Sequence, residues 1–397
     1  MKHLTEKLYY TDPNLVEWET EITGAFFDND KWIITLKETA FYPEGGGQPC
    51  DLGTIADIPV DYVYKKDDDE VYHVLREKPQ DTRVKCRIDS IRRIENTQHH
   101  SGQHLLSATC YDLYGYETIS FHLSDQTATI DLNVPTLTED ERRHIEQEVN
   151  RRIIQNHSIR TFYIDPVEAD KYHLRKVPQG HEKLRIVEIA GIEYNACGGT
   201  HVQSTSEIGL LKLLKQEKVR GNTRLYFICG IRLLNDYTNL LTITNELTKK
   251  LTTSADQLVE QVEKLVNENK EQKKKYSLLF AQYSDAIQKD LLDQAKGTLV
   301  SRLFSDCTTK EMQIIAAKIT KESDKIILLG SLSEGKILLA HNGKSPVHCG
   351  QIVKEYIGQY EGKGGGNNKS AQAIFPNTNA LESCFHMLQE SLEIENG

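Results

Sequence analysis

Short runs of alternating apolar and polar residues fill the N-terminal part of the chain. Residues 32–36 and 58–64 are two such runs, and clusters of Gly, Pro and Asp separate them. A period of two is typical of strands that bury one face, and such clusters are typical of turns. The pattern therefore predicts a small, barrel-like antiparallel β subdomain over residues 1–90.

The apolar spacing lengthens to a helical period after this region. Ile91, Ile94 and Leu105 recur on one helical face, which predicts a helix over 91–112. Thr138 followed by Glu141 has the form of a capping box and predicts a charged helix over 138–157. This order of elements predicts an α/β subdomain over 91–230. Its strands are expected at 118–122, 127–132, 184–189, 210–216 and 224–228.

Segment 231–296 contains neither Gly nor Pro. From Leu251 its apolar residues are spaced by four and three, which predicts a two-helix coiled-coil-like arm over 231–300. Ser254, facing Gln257, is expected to cap the second helix at the break between the two. Asn269 and Gln272 interrupt the apolar seam and are expected to fix its register. An amphipathic helix lying on a domain is the alternative.

The last region returns to a mixture of helices and strands. Two apolar runs at 325–329 and 336–340 predict adjacent strands. The whole region is predicted to form a compact α/β domain over 301–397, and the chain an α+β protein of four parts. The other elements expected here are a helix over 310–323, a helix over 346–360, a glycine loop at 362–366, a strand at 371–375 and a terminal helix.

Composition narrows the class of protein. The 397 residues carry a net charge of −10, and no stretch approaches the ~20 consecutive apolar residues of a membrane span. The first residues lack the apolar core of a secretory signal, so we expect a soluble, cytoplasmic protein with no membrane partner. Eight widely spaced cysteines indicate free thiols or metal ligands. The acidic balance argues against nonspecific coating of nucleic acid but allows a local basic face.

Two short motifs bring together side chains that bind metals. His100 and His104 lie four residues apart and share one face of the predicted helix, and Cys197 and His201 flank a Gly-Gly turn. Imidazole and thiolate together favour zinc over magnesium or calcium, so we predict a zinc site. The alternative to a metal site is that the two histidines form a surface pair and that Cys197 is an ordinary buried thiol. Ser101 stands where zinc proteases carry a glutamate base, so the sequence does not support a protease mechanism. A purely structural role for the zinc is a further alternative.

Two further features are candidate ligand sites. Gly45, Gly46 and Gly47 precede Gln48, and such a run marks either a tight turn or a backbone that approaches a ligand closely. A basic run opposed in sequence only by Glu217 is suited to phosphate contacts, with a solvated strand face as the alternative. This run comprises Lys212, Lys215, Lys218, Arg220 and Arg224.

These motifs together resemble a known family. The chain resembles the editing domain of alanyl-tRNA synthetase and its free-standing relatives, the AlaX proteins. The resemblance lies in the two motifs of the predicted zinc site, the glycine motif and the stretch 195–209. The glycine run 364–366 with residues 371–373 resembles the DHH-associated C-terminal domain of the synthetase and of the long AlaX form. The resemblance covers nearly the whole chain. An aminoacylation domain would lie upstream of the glycine motif, so we expect a chain that edits tRNA but does not charge it.

The resemblance implies hydrolysis of mischarged tRNA(Ala), chiefly seryl-tRNA(Ala), with glycyl-tRNA(Ala) left open as a second substrate. It places the zinc ligands at His100, His104, Cys197 and His201. A pocket that hydrogen-bonds the serine hydroxyl would reject the correct alanyl ester. The residues expected at the substrate are Thr118, Ser120, Gln103, Gly45, Gly46, Gly47 and Gln48. Those expected at the tRNA are Lys212, Lys215, Lys218, Arg220, Arg224, Gly364, Gly365 and Gly366.

The C-terminal domain is expected to contribute tRNA binding, homodimer formation or both. The chain departs from the family pattern at Gln103, where Thr is frequent, and at Cys50, where Gly is usual. Asn367 and Asn368 replace a common Arg-Pro pair, and the zinc ligands are unchanged. Two competing hypotheses are a catalytically silent tRNA-binding module with a structural zinc and a zinc hydrolase of an unrelated ester or amide.

Overall fold

A computed structural model of the chain describes residues 4–66, 69–174, 177–178, 180, 182–295 and 297–394. The chain forms two compact units, residues 1–247 and 248–397. Both units mix helices with strands, which confirms the predicted α+β class. All eight cysteines are free thiols. The described helices include none with the length and apolar character that a membrane crossing requires.

The N-terminal strands form a closed barrel. They are Glu6–Lys7 (β1), Glu17–Asp28 (β2), Lys31–Leu36 (β3), Glu38–Thr39 (β4), Gly53–Ile55 (β5), Ile58–Lys65 (β6), Val71–Leu75 (β7) and Arg83–Ile88 (β8). Six of them close the barrel in the order β2-β3-β7-β6-β5-β8, and β1 pairs with β4 in a separate parallel ribbon. The barrel core includes Ile34, Leu36 and Val63 from the alternating runs, together with Leu75 of β7.

Two antiparallel sheets follow the barrel. The elements are Ser90–Tyr114 (α1), Thr118–Leu123 (β9), Ala128–Leu132 (β10), Glu139–Ile154 (α2), Ile159–Ile164 (β11), Leu184–Ile189 (β12), Glu193–Ala196 (β13), Leu211–Val219 (β14) and Asn222–Cys229 (β15). One sheet has the order β14-β15-β10-β9 and the other the order β11-β12-β13. Both helices contribute to the core of the first sheet, where Leu105 and Ile145 join Ile130. Thr138 and Glu141 form the predicted capping box of α2.

Helix α1 is buried on every side over residues 96–110. Asp89 accepts a hydrogen bond from the Arg92 amide and begins the helix, and Gly115 ends it in the left-handed conformation at φ 70°. A helix buried on all sides is ordinarily apolar throughout, whereas α1 carries His99, His100 and other polar residues in this stretch. Buried polar groups require hydrogen-bond partners, so the surroundings of α1 must supply them.

A buried ion pair fixes α1 against the segment that follows the glycine motif. The Arg93 and Asp51 side chains are 2% and 0% exposed, and the Arg93 guanidinium donates to the Asp51 carboxylate. Arg93 also donates to the carbonyl of Pro13 at 2.7 Å, and Asp51 accepts from the Tyr42 amide at 2.7 Å. These bonds hold the helix, the glycine motif and the N-terminal segment in one arrangement.

Two long helices follow at Gly230–Leu251 (α3) and Leu258–Gln294 (α4). The predicted break between them is confirmed, but the predicted Ser254 cap is wrong. The chain resumes as a short 3₁₀ turn at Ala255–Gln257, where Ser254 makes no capping bond, and its hydroxyl bonds the Asp256 carboxylate instead. The final turns of α4 pack on the C-terminal sheet through Leu291, whereas Val262 and Leu265 of the same helix are exposed.

The C-terminal unit contains a five-stranded sheet between two pairs of helices. Its elements are Leu299–Phe304 (β16), Thr309–Glu322 (α5), Ile326–Ser331 (β17), Lys336–Ala340 (β18), Cys349–Ile357 (α6), Lys363–Gly366 (β19), Ser370–Ile374 (β20) and Thr378–Ile394 (α7). The strand order is β16-β17-β18-β20-β19. Ile327 and Leu329 pack with α4 and α5, and Ile326 and Leu328 with α6 and α7. This alternation explains why β17 is apolar at every position from Ile326 to Leu329.

The glycine run expected to form a loop at 362–366 is instead the edge strand β19. A Cβ on Gly364 would lie 2.1 Å from the Gln372 carbonyl oxygen, and one on Gly366 would lie 2.1 Å from that of Ser370. Only glycine allows β19 to pair so closely with β20. Gly365 has open space around its Cβ position. The sequence suggested a loop because glycines carry no side-chain pattern from which a strand is predicted.

Replacing Arg93 with leucine should destabilise the N-terminal unit strongly. The Arg93→Leu change leaves the Asp51 carboxylate buried without its ion-pair partner, and such a loss lowers the free energy of unfolding by about 3–5 kcal/mol. Urea unfolding followed by tryptophan fluorescence measures it, because Trp18 and Trp32 both lie in the barrel. Arg83→Ala is the control, since the Arg83–Glu19 pair is exposed and should contribute under about 1 kcal/mol. Equal effects of the two changes would contradict this account.

Candidate metal centre

The structure brings the four predicted ligands together. The candidate ligand atoms of His100, His104, Cys197 and His201 all lie within 4.8 Å of one another. The two histidines of α1 share a face because they are one turn apart. Cys197 follows β13 directly, and the turn through Gly198 and Gly199 returns the chain so that His201 lies on the same side as Cys197. Residues about a hundred positions apart in the sequence thus form one cluster.

Gln48 fixes the orientation of His100. The His100 Nδ1 lies 2.7 Å from Gln48 Oε1, and its Nε2 lies 3.4 Å from the Cys197 sulfur. An N–H at Nδ1 that donates to Gln48 leaves the Nε2 lone pair for a metal ion. The Phe121 ring stacks on the imidazole with its centroid 5.5 Å away. Gln48, which the sequence predicts to contact the substrate, thus also orients the candidate ligand His100.

Thr200 completes a hydrogen-bonded junction around the same amide. Its backbone N–H donates to Gln48 Oε1 at 3.2 Å, and Gln48 Nε2 donates to its hydroxyl at 2.9 Å. The Thr97 hydroxyl of α1 lies 2.9 Å from the Thr200 hydroxyl. All three side chains are buried, so the junction ties the glycine motif, α1 and the Cys-Gly-Gly-Thr-His segment together away from solvent.

The glycine motif is a tight turn that presents Gln48. Gly45 and Gln48 exchange backbone hydrogen bonds of 3.0 and 3.1 Å across it. Gly46 and Gly47 have φ values of 58° and 83°, in the left-handed region that favours glycine. A Cβ on Gly47 would also lie 2.8 Å from the Phe121 ring. The backbone of the glycine motif is therefore a tight turn, one of the two alternatives that its sequence allows. The turn contributes to the candidate metal centre through the buried Gln48 side chain.

Ser101 orients His201. The Ser101 hydroxyl lies 3.2 Å from His201 Nδ1 and accepts a hydrogen bond from the Val202 amide at 3.1 Å. The Nε2 of His201 is then directed at the Cys197 sulfur, 3.4 Å away. The position at which zinc proteases carry a general base thus holds a residue that supports a ligand.

Glu193 is a member of the centre that the sequence did not reveal. It is buried on β13, and its carboxylate lies 3.5 Å from His104 Nδ1. A carboxylate behind a metal-ligating histidine fixes the ring and raises its basicity. The feature that identifies Glu193 as part of the centre is its buried position on the strand that precedes Cys197. The sequence does not show this burial, because it depends on the pairing of β12 with β13. Each of the three imidazoles therefore has an oxygen partner behind it.

The electrostatics of the centre favour a thiolate. Burial opposes ionisation of Cys197, but the imidazoles of His100 and His201 outweigh it and hold the pKa of the thiol well below its usual value. Burial and the neighbouring His100 lower the pKa of His201 to about 3, so this ring is neutral at physiological pH. The Cys197 thiolate and the neutral His201 ring are forms that bind metals, and a ligand set of three nitrogens and one sulfur fits zinc.

Two of the predicted substrate residues lie beside the centre and one does not. The Ser107 hydroxyl of α1 accepts hydrogen bonds from Gln103 Nε2 at 2.9 Å and from the Thr118 hydroxyl at 2.7 Å. Gln103 and Ser107 lie on the helix face that carries His100 and His104, by their spacing. A β-bulge at Ile119 separates Thr118 from Ser120, because Asp131 and Leu132 of β10 pair with Ser120 and Thr118. Ser120 donates to the Asp131 carboxylate at 2.7 Å instead.

Most of the basic run on β14 and β15 is neutralised. Lys212 pairs with Glu146 at 2.7 Å, Lys215 with Glu217, and Arg224 with Asp131 at 2.7 Å. Glu217 is the one acidic residue within the run, but Glu146 and Asp131 also reach it, from α2 and β10. Lys218 lies near the end of β14 and Arg220 in the turn that follows, and both side chains are exposed.

Comparisons with known proteins agree with this organisation. The family described as the threonyl and alanyl tRNA synthetase second additional domain matches residues 184–226, and the DHHA1 domain matches residues 295–393. The alanyl-tRNA editing protein AlaX-L of Pyrococcus horikoshii is 32% identical over 387 residues, which cover 93% of this chain and 94% of that protein. Aarsd1-B of Xenopus laevis, another alanyl-tRNA editing protein, is 32% identical over 84% of this chain and 82% of its own length.

The alanine–tRNA ligase of Methanobrevibacter smithii is 30% identical over 94% of this chain but over only 44% of the ligase. The shared region thus makes up less than half of a synthetase but almost the full length of the editing protein. The fold and the centre define a chain of the synthetase editing-domain class. Within that class, the chain belongs to the AlaX family of alanyl-tRNA editing proteins, in its long form.

Gly199→Ala should impair metal binding. A Cβ at Gly199 would lie 2.0 Å from His100 Cε1, so the imidazole must move from its position against Gln48. We expect zinc affinity to fall about 10- to 100-fold, the range typical of disturbed support around a ligand. Gly198→Ala is the matched control, because its Cβ would meet only the Tyr10 hydroxyl at 3.5 Å. Competition with a chelating dye measures both, and equal affinities would contradict the arrangement.

Proposed function

We propose that this chain is a trans-editing hydrolase that deacylates mischarged tRNA(Ala), chiefly seryl-tRNA(Ala), with glycyl-tRNA(Ala) as a candidate second substrate. The observation that carries the proposal is the four-ligand cluster of three imidazoles and one thiolate. Membership of a family whose members are named alanyl-tRNA editing proteins supports the same reaction. Aminoacyl esters are intrinsically labile, so orientation of the ester and its attacking water supplies much of the rate.

The cofactor that we propose is zinc. A zinc ion bound by His100, His104, Cys197 and His201 would supply a Lewis acid that orients the neutral amino end of the substrate and the tRNA terminus. Four protein ligands form a closed coordination shell, which favours this positioning role over activation of a water. Gln48, Ser101 and Glu193 hold the three imidazoles from behind and so keep the site rigid.

We propose that three polar side chains beside the centre recognise the serine hydroxyl through hydrogen bonds. Gln103, Ser107 and Thr118 are already hydrogen-bonded to one another, so their donors and acceptors have defined directions. A substrate hydroxyl that joins this group completes its hydrogen bonds, whereas an alanyl methyl group leaves polar atoms without a partner. That difference would protect correctly charged alanyl-tRNA(Ala). Gln103, where Thr is frequent in the family, extends the group further toward the substrate.

We further propose four parts, 1–90, 91–230, 231–300 and 301–397, the last of which contributes tRNA binding, dimer formation or both. The exposed Val262 and Leu265 of α4 suggest that part 231–300 also takes part in pairing with a second copy, because an exposed apolar face is stabilised when it is covered. For the tRNA, the exposed Lys218, Arg220 and the lysines of segment 270–275 are the candidates. Among the C-terminal glycines, Gly365 has the space for a ligand, whereas Gly364 and Gly366 maintain strand pairing.

Release of serine from seryl-tRNA(Ala) tests the proposed reaction directly. Zinc-loaded protein is expected to release serine from seryl-tRNA(Ala) and to leave alanyl-tRNA(Ala) largely intact. Cys197→Ala removes the thiolate that three imidazoles surround, so hydrolysis should fall to the uncatalysed rate. The remaining aminoacyl-tRNA, followed over time with labelled serine or alanine, provides the measurement. Cys307→Ala is the control, because it removes a buried thiol of the C-terminal unit and should leave the rate unchanged.

Two other results would decide against this function. Wild-type protein that binds tRNA but never releases serine would identify a silent binding module with a structural zinc. Hydrolysis of simple nitrophenyl esters with no preference for charged tRNA would identify an unrelated hydrolase.

Thr118 and Ser120, the two hydroxyl residues of β9 that the sequence predicts at the substrate, should differ in their effect on catalysis. Thr118→Val keeps the shape of the side chain but removes the hydroxyl that donates to Ser107. We expect kcat/KM for seryl-tRNA(Ala) to fall about tenfold, the usual effect of one lost hydrogen bond, while alanyl-tRNA(Ala) hydrolysis stays low. Ser120→Ala should change neither rate, because Ser120 bonds Asp131 on the other side of the strand. A larger effect at Ser120 than at Thr118 would refute this assignment.

A further inference from the structure

The turn over residues 197–201 carries two of the four candidate ligands, Cys197 and His201. It begins directly after β13 and passes through Gly198 and Gly199, and glycine has more backbone freedom than any other residue. Within the turn, the Gly199 amide donates to the Cys197 sulfur at 3.4 Å. Metal ligands must be held within about 0.5 Å of their bonding positions, so a turn of this composition needs restraints from outside it.

Arg185 supplies such a restraint from the neighbouring strand β12. Its guanidinium Nη1 donates to the carbonyl oxygen of Cys197 at 2.8 Å and to that of Gly199 at 3.0 Å. Its own backbone carbonyl accepts a hydrogen bond from the Cys197 amide at 3.1 Å. Arg185 therefore contacts the turn at three points, and these contacts extend the β12–β13 pairing beyond Ala196.

Arg185 and Gln48 hold the same peptide group from opposite edges. In a trans peptide the C=O and N–H bonds point in opposite directions. The peptide between Gly199 and Thr200 directs its carbonyl at Arg185, 3.0 Å away, and its N–H at Gln48 Oε1, 3.2 Å away. The same Gln48 oxygen lies 2.7 Å from His100 Nδ1. A chain of contacts therefore runs from Arg185 through the turn and Gln48 to a ligand on α1.

The guanidinium of Arg185 is itself held in place. It lies over the Tyr10 ring, with Cζ 4.9 Å from the ring centroid. Its Nε–H is buried and has no hydrogen-bond partner among the described residues. The two carbonyl oxygens and the ring therefore define its position. A planar guanidinium suits this arrangement, because its donors are fixed relative to one another and its face stacks on a ring, whereas a lysine ammonium is a flexible point charge.

We propose that Arg185 is a positioning residue of the candidate metal centre. It fixes the peptide groups of the turn, so that the Cys197 sulfur and the His201 imidazole stay directed toward the two histidines of α1. The inference rests on the zinc cofactor of the proposed function, but it does not depend on the reaction. Arg185 acts through backbone carbonyls, whereas the other supporting side chains contact the imidazoles directly.

Replacement of Arg185 tests this role in the full chain. Arg185→Met keeps a long apolar side chain beside Tyr10 but removes the donors to the turn. We expect zinc affinity, measured by competition with a chelating dye, to fall about 10- to 100-fold, the range of disturbed support around a ligand. Arg185→Lys keeps an ammonium donor and should have an affinity between the two. Lys183→Met, the control, removes an exposed positive charge two residues away and should stay within about twofold of wild type.

Cobalt(II) in place of zinc reports the position of the sulfur. The wild type should show a thiolate-to-cobalt charge-transfer band, because soft thiolate and imidazole ligands together bind such an ion. In cobalt-saturated Arg185→Met this band should weaken, since the Cys197 sulfur is no longer held at bonding distance. A mere loss of stability would lower the unfolding temperature without changing the spectrum of the folded, saturated protein. If Arg185→Met fails to fold, the same two measurements on Arg185→Lys decide the question.

Kinetics with seryl-tRNA(Ala) separate positioning from substrate contact. If Arg185→Met keeps the zinc affinity and cobalt spectrum of the wild type and only KM rises, the guanidinium contacts the substrate and the positioning role is overturned. If Arg185→Met loses zinc affinity but the zinc-loaded wild type never hydrolyses seryl-tRNA(Ala), the proposed function is overturned and the positioning role stands. A wild type that binds no zinc overturns both.

Discussion

The centre depends on one buried amide. Gln48 accepts hydrogen bonds from the His100 ring and the Thr200 backbone and donates to the Thr200 hydroxyl, so it joins three segments that are far apart in the chain. His100 approaches so closely that only glycine fits at position 199. Because the four ligands come from two segments, neither segment can orient them alone. The glycine motif supplies the third point of contact, and its three glycines allow the turn that brings Gln48 to the ligands.

The same requirement explains the unusual burial of α1. A helix surrounded on all sides ordinarily carries apolar residues, and the polar residues here would destabilise the fold if they lacked partners. Neighbouring segments supply those partners: Asp51 for Arg93, Gln48 for His100, His201 and the Val202 amide for Ser101, and the Glu193 carboxylate for His104. Stability and site geometry therefore depend on the same hydrogen bonds. A change that loosens the packing of α1 is expected to affect the metal ligands as well.

Spacing within one element was predictable, and pairing between elements was not. The four-residue interval of His100 and His104 indicates a shared helix face, and the Gly-Gly interval suggests a turn between Cys197 and His201. Glu193 joins the centre through the β12–β13 register, and the bulge at Ile119 separates Thr118 from Ser120. Neither register nor bulge leaves a periodic signal in the sequence. The ion pairs that neutralise the basic run on β14 and β15 are unpredictable for the same reason, since Glu146 and Asp131 come from other elements.

The net charge of −10 and a tRNA substrate are compatible if the positive charge is local. Screening limits the reach of exposed charges to about 10 Å at moderate salt, so local basic side chains would attract only a phosphate that is already close to them. An enzyme that must inspect many charged tRNAs and release the correct ones benefits from such weak, salt-sensitive attraction. Under the proposed function, discrimination would rest on hydrogen bonds from Gln103, Ser107 and Thr118 to the serine hydroxyl rather than on affinity for the tRNA, because correct and incorrect substrates share the same nucleotides.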